Sequence, residues 1–275
     1  MALSLRAALP EAGRPIKSAQ TKSADMALID LANPTRFIAL VERVLPWLIG
    51  ATLIAFAFGL REAYSAPDDY QQGATVKIMF IHVPNAWLCM FVWGVMSAAA
   101  LGTLVWRHPL ADVAAKCAAP LGAAFTFLAL VTGSLWGRPM WGTYWVWDAR
   151  LTSYLVLLLL YLGIIAIRQT MDDTPRGARV AAIMTLVGLI DIPIIKFSVD
   201  WWNTLHQPAS VFRAGGSTIS GSMLWPLLVM AVGASALFLT LHFMALRNEI
   251  LRRRIARLTR QSVRAGEADE LEAAE

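Results

Sequence analysis

Nearly charge-free apolar runs recur six times along the chain, at 44–60, 86–106, 117–136, 151–167, 180–197 and 223–246, with polar or charged segments between them. Each is close to the ~20 residues that carry an α-helix across a bilayer core. Open strands are ruled out as spanning elements, because they leave backbone groups unsatisfied in lipid. The pattern predicts an all-α, polytopic membrane protein with six transmembrane helices. Residues 1–25 hold no sustained apolar core, so they read as a disordered leader without a cleavable signal peptide, and Met26 offers an alternative start. The expected organisation is an N-terminal segment at 1–40, a six-helix membrane domain at 41–247, and a basic then acidic tail at 248–275 whose end frays.

Composition supports the membrane class. Of 275 residues, 57% are hydrophobic and 16% charged, with mean hydropathy +0.54, too apolar for an ordinary soluble domain. The net charge of +5 calls for no nucleic acid, because the cations follow topology. The N-terminal segment, the second and fourth loops and the tail carry 18 of the 24 Lys and Arg residues. The positive-inside rule therefore places both termini in the cytoplasm. The tail from Arg252 through Arg260 reads as a topogenic anchor near anionic membrane lipid that extends the last helix.

Cys89 and Cys117 fall within predicted helices and form no Cys-x-x-Cys pair, which excludes a thioredoxin-like motif and covalent haem attachment through Cys-x-x-Cys-His. Walker A, His-Glu-x-x-His and Gly-x-Ser-x-Gly are also missing, so nucleotide hydrolysis, zinc proteolysis and serine-hydrolase chemistry lack support.

Between the third and fourth runs lies Trp141-Gly142-Thr143-Tyr144-Trp145-Val146-Trp147-Asp148-Ala149-Arg150-Leu151-Thr152-Ser153, four large rings in one short loop. So dense a cluster suits a flat apolar partner, although Trp and Tyr also gather in membrane-interface belts. With six spans, the odd-numbered loops share a face. Loop one holds His82, loop three the aromatic cluster, and loop five His206 behind Trp201 and Trp202, while His108 and His242 lie toward the other face. Two imidazoles and an aromatic platform at one face outline a haem site, with axial ligation to iron and rings on the macrocycle. Arg138, Arg150, Arg213 and Lys77 are the cations there for propionates, arginine matching a carboxylate bidentately.

Structural roles compete for the same residues. Trp201 and Trp202 suit interface anchors, and Lys196 and Arg150 suit snorkelling helix ends. Asp148, with Thr152 and Ser153, suits a cap on the fourth span as well as ligand contact. Asp191 sits inside the fifth span near Pro193, where a freed backbone group or Lys196 is the expected partner and an ion path is the sharper alternative.

The loop from Trp141 to Ser153 resembles the tryptophan-rich WWD motif of haem-handling proteins in c-type cytochrome biogenesis. Together with Ile81-His82-Val83-Pro84 and Trp201-Trp202-Asn203-Thr204-Leu205-His206-Gln207, it resembles the CcmC family over about 34–247. Tyr144 stands where many members are expected to have Trp, and a flat ring is kept. CcmF and CcsA share the motif but have more spans and histidines. The resemblance implies a bacterial inner-membrane protein that holds haem b transiently at the periplasmic face. His82 and His206 would be the axial ligands, and Arg138, Trp141, Tyr144, Trp145, Trp147, Asp148, Arg150, Trp201 and Trp202 the candidate contacts, Trp145 and Trp147 foremost. It further implies presentation of haem to the chaperone CcmE, with CcmD and the CcmA and CcmB pair as partners, and a holder without a turnover active site. A membrane transport subunit that exports haem or another solute, or a cofactor-free scaffold that docks a partner, are the alternatives.

Overall fold

Proline and short polar side chains start most of the helices. Asn33 accepts a hydrogen bond from the Thr35 N–H (2.9 Å) ahead of Pro34, and α1 runs Pro34–Ser65. A 3-10 turn, Ala74–Ile78, feeds directly into α2, Met79–Val105. α3, Pro109–Trp141, opens on Pro109 and stops at Gly142, whose φ of 75° is the left-handed conformation a helix end requires. Asp148 accepts from the Leu151 N–H (2.8 Å) and caps α4, Ala149–Thr170. Thr174 caps α5, Pro175–Gly188, through Gly177 N–H (3.0 Å); α6, Asp191–Trp201, follows after a break, and α7 runs Gly221–Ala274.

This computed structural model describes residues 33–171 and 174–274, with side chains as far as 266. The N-terminal leader and the choice between Met1 and Met26 lie outside them. Six helical stretches are long and apolar enough to cross a membrane, α5 and α6 together making the fifth. The described residues are otherwise helix and irregular chain, with one isolated bridge between Asp69 and Gly73.

The helices overrun the charge-free runs at both ends. α1 takes in 34–40, α7 continues past 248, and α2 begins at Met79 rather than near Ala86. His82 is therefore on the first turn of a span, not in a loop. Hydropathy loses that turn because His82, Pro84 and Asn85 are polar or helix-breaking. The backbone holds nonetheless: Asn85 Nδ2 donates to the Ile81 carbonyl (2.7 Å). Trp141 likewise ends α3 instead of opening the loop, since the stop signal is Gly142.

The core lies between α2, α3, α4 and the broken fifth span. Trp93 and Tyr161 are fully buried and pack edge to face at 4.7 Å. Each polar tip finds a carbonyl: Trp93 Nε1 donates to Thr185 (3.1 Å) and Tyr161 Oη to Cys89 (2.6 Å). Cys89 is buried and Cys117 half-buried, both as free thiols.

At one end of the bundle a charge network ties three helices together. Asp112 of α3 accepts from Arg168 of α4 and from Arg253 of α7 (3.2 Å), while Glu249 of α7 holds Lys116 (2.9 Å) and Arg253 (2.8 Å). Pairing is what makes charges tolerable at such depth. The opposite ends of α3 and α4 carry the candidate site.

Candidate functional site

One face of α3 supplies the floor. Ala129, Thr132, Gly133, Trp136, Gly137 and Trp141 recur at helical spacing and meet His82 at one end and His206 at the other. The Nδ1 of His82 lies 3.0 Å from the Ala129 carbonyl and 3.1 Å from Thr132 Oγ. Thr132 spends its own proton on the Leu128 carbonyl (2.6 Å), so both neighbours of Nδ1 act as acceptors. The Nδ1–H tautomer follows, leaving the Nε2 lone pair free. Trp136 packs against the ring edge to face at 5.8 Å and is itself fixed by Nε1 donating to Gln72 Oε1 (2.7 Å).

His206 comes from the irregular chain after α6. The Thr204 hydroxyl accepts from the His206 N–H (3.2 Å), and Asp148 Oδ2 lies 3.1 Å from its Nδ1. Here too the protein accepts at Nδ1. Burial lowers the pKa of this imidazole against the opposing pull of Asp148, favouring the neutral ring that a metal needs. Trp141 meets the ring at 4.8 Å, and Gly137 lets it sit there: a Cβ on Gly137 would come 2.9 Å from Trp141 Cε3.

Both histidines line one cavity of about 560 Å³, with Trp87, Trp136, Trp141 and Arg150. That size, and a lining that mixes aromatic rings with charged and polar side chains, suit a large organic ligand with polar groups. Among the described residues no three His, Cys, Asp or Glu side chains gather to hold a metal ion. Two imidazoles are too few donors for a bare transition metal. As donors, two neutral imidazoles beside aromatic rings would suit iron carried in a macrocycle.

The sequence-derived contacts divide sharply. Trp141 and Arg150 line the cavity; Tyr144, Trp145, Trp147, Asp148, Arg138, Trp201 and Trp202 do not. Trp145 and Trp147 pack edge to face at 5.4 Å, and Trp147 is 75% exposed. Trp145 turns a buried indole N–H that meets no acceptor among the described residues. Tyr144, Trp201 and Trp202 are exposed, Trp201 stacking on Phe197 and meeting Trp202 at 5.7 Å. These rings lie outside the cavity lining.

The cations divide as well. Arg150 Nε donates to Ser198 Oγ (3.1 Å), which anchors the guanidinium at the cavity wall. Arg138 turns back to the Gly142 carbonyl and lies over Tyr144 (5.5 Å). Lys77 is engaged by Asp68 (3.2 Å) and the Tyr64 carbonyl (3.0 Å), and Arg213 is exposed. Lys196, read from sequence as a snorkelling residue, does line the cavity. Its spacing from Ile195, Val199 and Asp200 on one face of α6 was the available signal.

Asp148 caps α4 as the sequence allows, but Ser153 instead donates back to the Ala149 carbonyl (2.6 Å). Asp191 is buried at the α5–α6 break, and its Oδ2 meets neither Lys196 nor any other hydrogen-bond partner among the described residues. His108 and His242 line no part of the cavity; His242 stacks on Phe238 at 5.3 Å, about 22 Å along α7 from the lining residue Leu227.

Known proteins are similar to this chain over most of its length. A heme exporter protein C of Bradyrhizobium diazoefficiens is 73% identical over 233 residues, 85% of this chain and 89% of that protein. One from Escherichia coli K12 is 45% identical over 225 residues, 82% and 91%, and one from Paracoccus denitrificans is 40% identical over 241 residues, 87% and 100%. The family description CcmC, heme exporter protein C, matches residues 27–261 and so takes in every element of the cavity. The chain belongs to the CcmC family of heme exporter proteins.

Proposed function

We propose that this chain holds haem b in the cavity between His82 and His206 and hands it to the chaperone CcmE during c-type cytochrome maturation. The observation that carries the reading is the matched state of the two imidazoles. Each has its Nδ1 occupied by acceptors of the protein, and both rings line one aromatic-walled cavity. His82 and His206 would hold the iron through their Nε2 atoms, which suits a holder and presenter rather than a turnover enzyme. Arg150 and Lys196 face the cavity as partners for the propionates. The exposed rings of Tyr144, Trp147, Trp201 and Trp202, outside the cavity lining, offer apolar surface to a chaperone or to the membrane interface.

The distribution of Lys and Arg supports a cavity on the periplasmic face of the inner membrane with both termini cytoplasmic. Family membership supports CcmD and the CcmA and CcmB pair as neighbours. Visible spectra of detergent-purified protein with single alanine replacements of the four histidines test the ligands. H82A and H206A are expected to alter or abolish a low-spin haem spectrum, and H108A and H242A to preserve it; equal behaviour of all four would refute the assignment. Alkaline phosphatase fused near Asp148 is expected to be active and at the C-terminus silent, the reverse refuting the orientation.

A further inference from the structure

The two histidines differ in what holds them. His82 gives its Nδ1–H to two neutral acceptors, the Ala129 carbonyl and the Thr132 hydroxyl. His206 gives its Nδ1–H to a carboxylate, Asp148 Oδ2. The other oxygen, Oδ1, receives the Leu151 N–H at the first turn of α4. That carboxylate is 5% exposed, so little water weakens the bond. An imidazole whose N–H is held by a carboxylate is polarised toward imidazolate and becomes a stronger donor at its other nitrogen.

We propose that Asp148 is a positioning residue that fixes the His206 tautomer, points Nε2 into the cavity and makes His206 the stronger of the two iron ligands. The claim rests on the haem reading above. The aspartate of the aromatic motif is thus a structural link between the α4 terminus and one axial ligand, while the rings around it need not touch the macrocycle. An unequal pair would also set an order of release, with His82 the more readily displaced ligand and an incoming nitrogen lone pair taking its place with no change in iron oxidation state.

The test uses full-length, haem-loaded protein in detergent. D148N retains a side-chain oxygen for the cap, since Asn caps as well as Asp, but turns an amide N–H donor toward His206 Nδ1 in place of the carboxylate acceptor. Its midpoint potential is expected to rise, because the ferric state loses its stronger donor, and haem affinity to fall about ten- to a hundredfold. T132V leaves the Ala129 carbonyl on His82 and is expected to shift the potential less. H82A is expected to retain haem through gel filtration, in a high-spin form, and H206A to lose it.

D148S caps without the reach to His206 and separates ligand tuning from folding: both Asp148 variants are expected to melt near the unaltered protein. If the unaltered protein takes up no low-spin haem, the binding reading fails and this one with it. If it does, an unchanged potential and affinity in D148N, or faster haem loss from H82A than from H206A, overturns the role of Asp148 alone. So does a drop in melting temperature in both Asp148 variants with an unaltered spectrum and potential.

Discussion

Gly133 lies directly beneath the His82 imidazole, so that a Cβ there would come 2.8 Å from Cε1 of the ring. The contact is shorter than any real Cβ makes, and the ring is already held by two acceptors on the same helix. G133A is therefore expected to displace the imidazole and reduce the low-spin haem signal. Gly163, with open space around its Cα, is the control: G163A is expected to leave the spectrum unchanged and to stabilise α4 by up to ~1 kcal/mol. Loss of haem from both variants, or from neither, contradicts the seat assigned to Gly133.

Arg150 reaches the cavity with its Nε tied to Ser198. If its remaining guanidinium nitrogens meet a propionate, R150A loses a charge-assisted bond of about 1.5–3 kcal/mol, or roughly tenfold or more in haem affinity. The dimethyl ester of haem isolates that effect. R150A is expected to weaken haem while leaving the ester's affinity the same, and an equal loss for both would assign Arg150 a packing role.

Trp141 and Trp147 belong to the same motif yet differ in place. Trp141 lines the cavity against His206, whereas Trp147 is three-quarters exposed outside it. W141A is expected to perturb the haem spectrum. W147A is expected to keep the spectrum and melting temperature and to slow transfer to CcmE in a reconstituted assay. A W147A protein with a disrupted spectrum would bring the outer rings into the haem contact.

At the far end, Arg168 is 9% exposed and paired with Asp112. Removing one partner of a buried pair costs about 3–5 kcal/mol, and the low end applies because Arg253 still faces Asp112. R168M is expected to lower the melting temperature in detergent more than the double replacement D112N/R168M. The haem spectrum of surviving folded protein is expected to be unchanged, since the network and cavity occupy opposite ends of α3.

Six helices were legible because burial in lipid writes itself as uninterrupted apolar sequence. Their ends were not. Hydropathy drops at His82 and Pro84 although the helix has already begun at Met79, and it drops after Trp136 although Gly142 is the residue that stops α3. Polarity marks where a helix leaves the hydrocarbon, whereas caps and left-handed residues mark where the backbone stops. Parity correctly joined His82 to His206, because it depends only on the number of spans. Sequence could not separate Trp141 and Arg150 from Tyr144 and Trp147, since nearness along a loop says little about which ring turns inward. Lys196 escaped for the opposite reason: its charge was explained by position, and the face it shares with Ile195, Val199 and Asp200 becomes a cavity wall once α6 packs on α4.

The α3 face that serves both imidazoles has a consequence for chain length. Removing one residue between Thr132 and Gly137 would leave the acceptors of His82 in place but turn everything beyond by about 100°. Trp141 would then swing away from His206, and Gly142 would send the following segment off in a new direction. This stretch of the third span is under a counting constraint. Its side chains can be exchanged within limits of size, but its number of residues is fixed by two rings, one carried by α2 and the other by the irregular chain after α6.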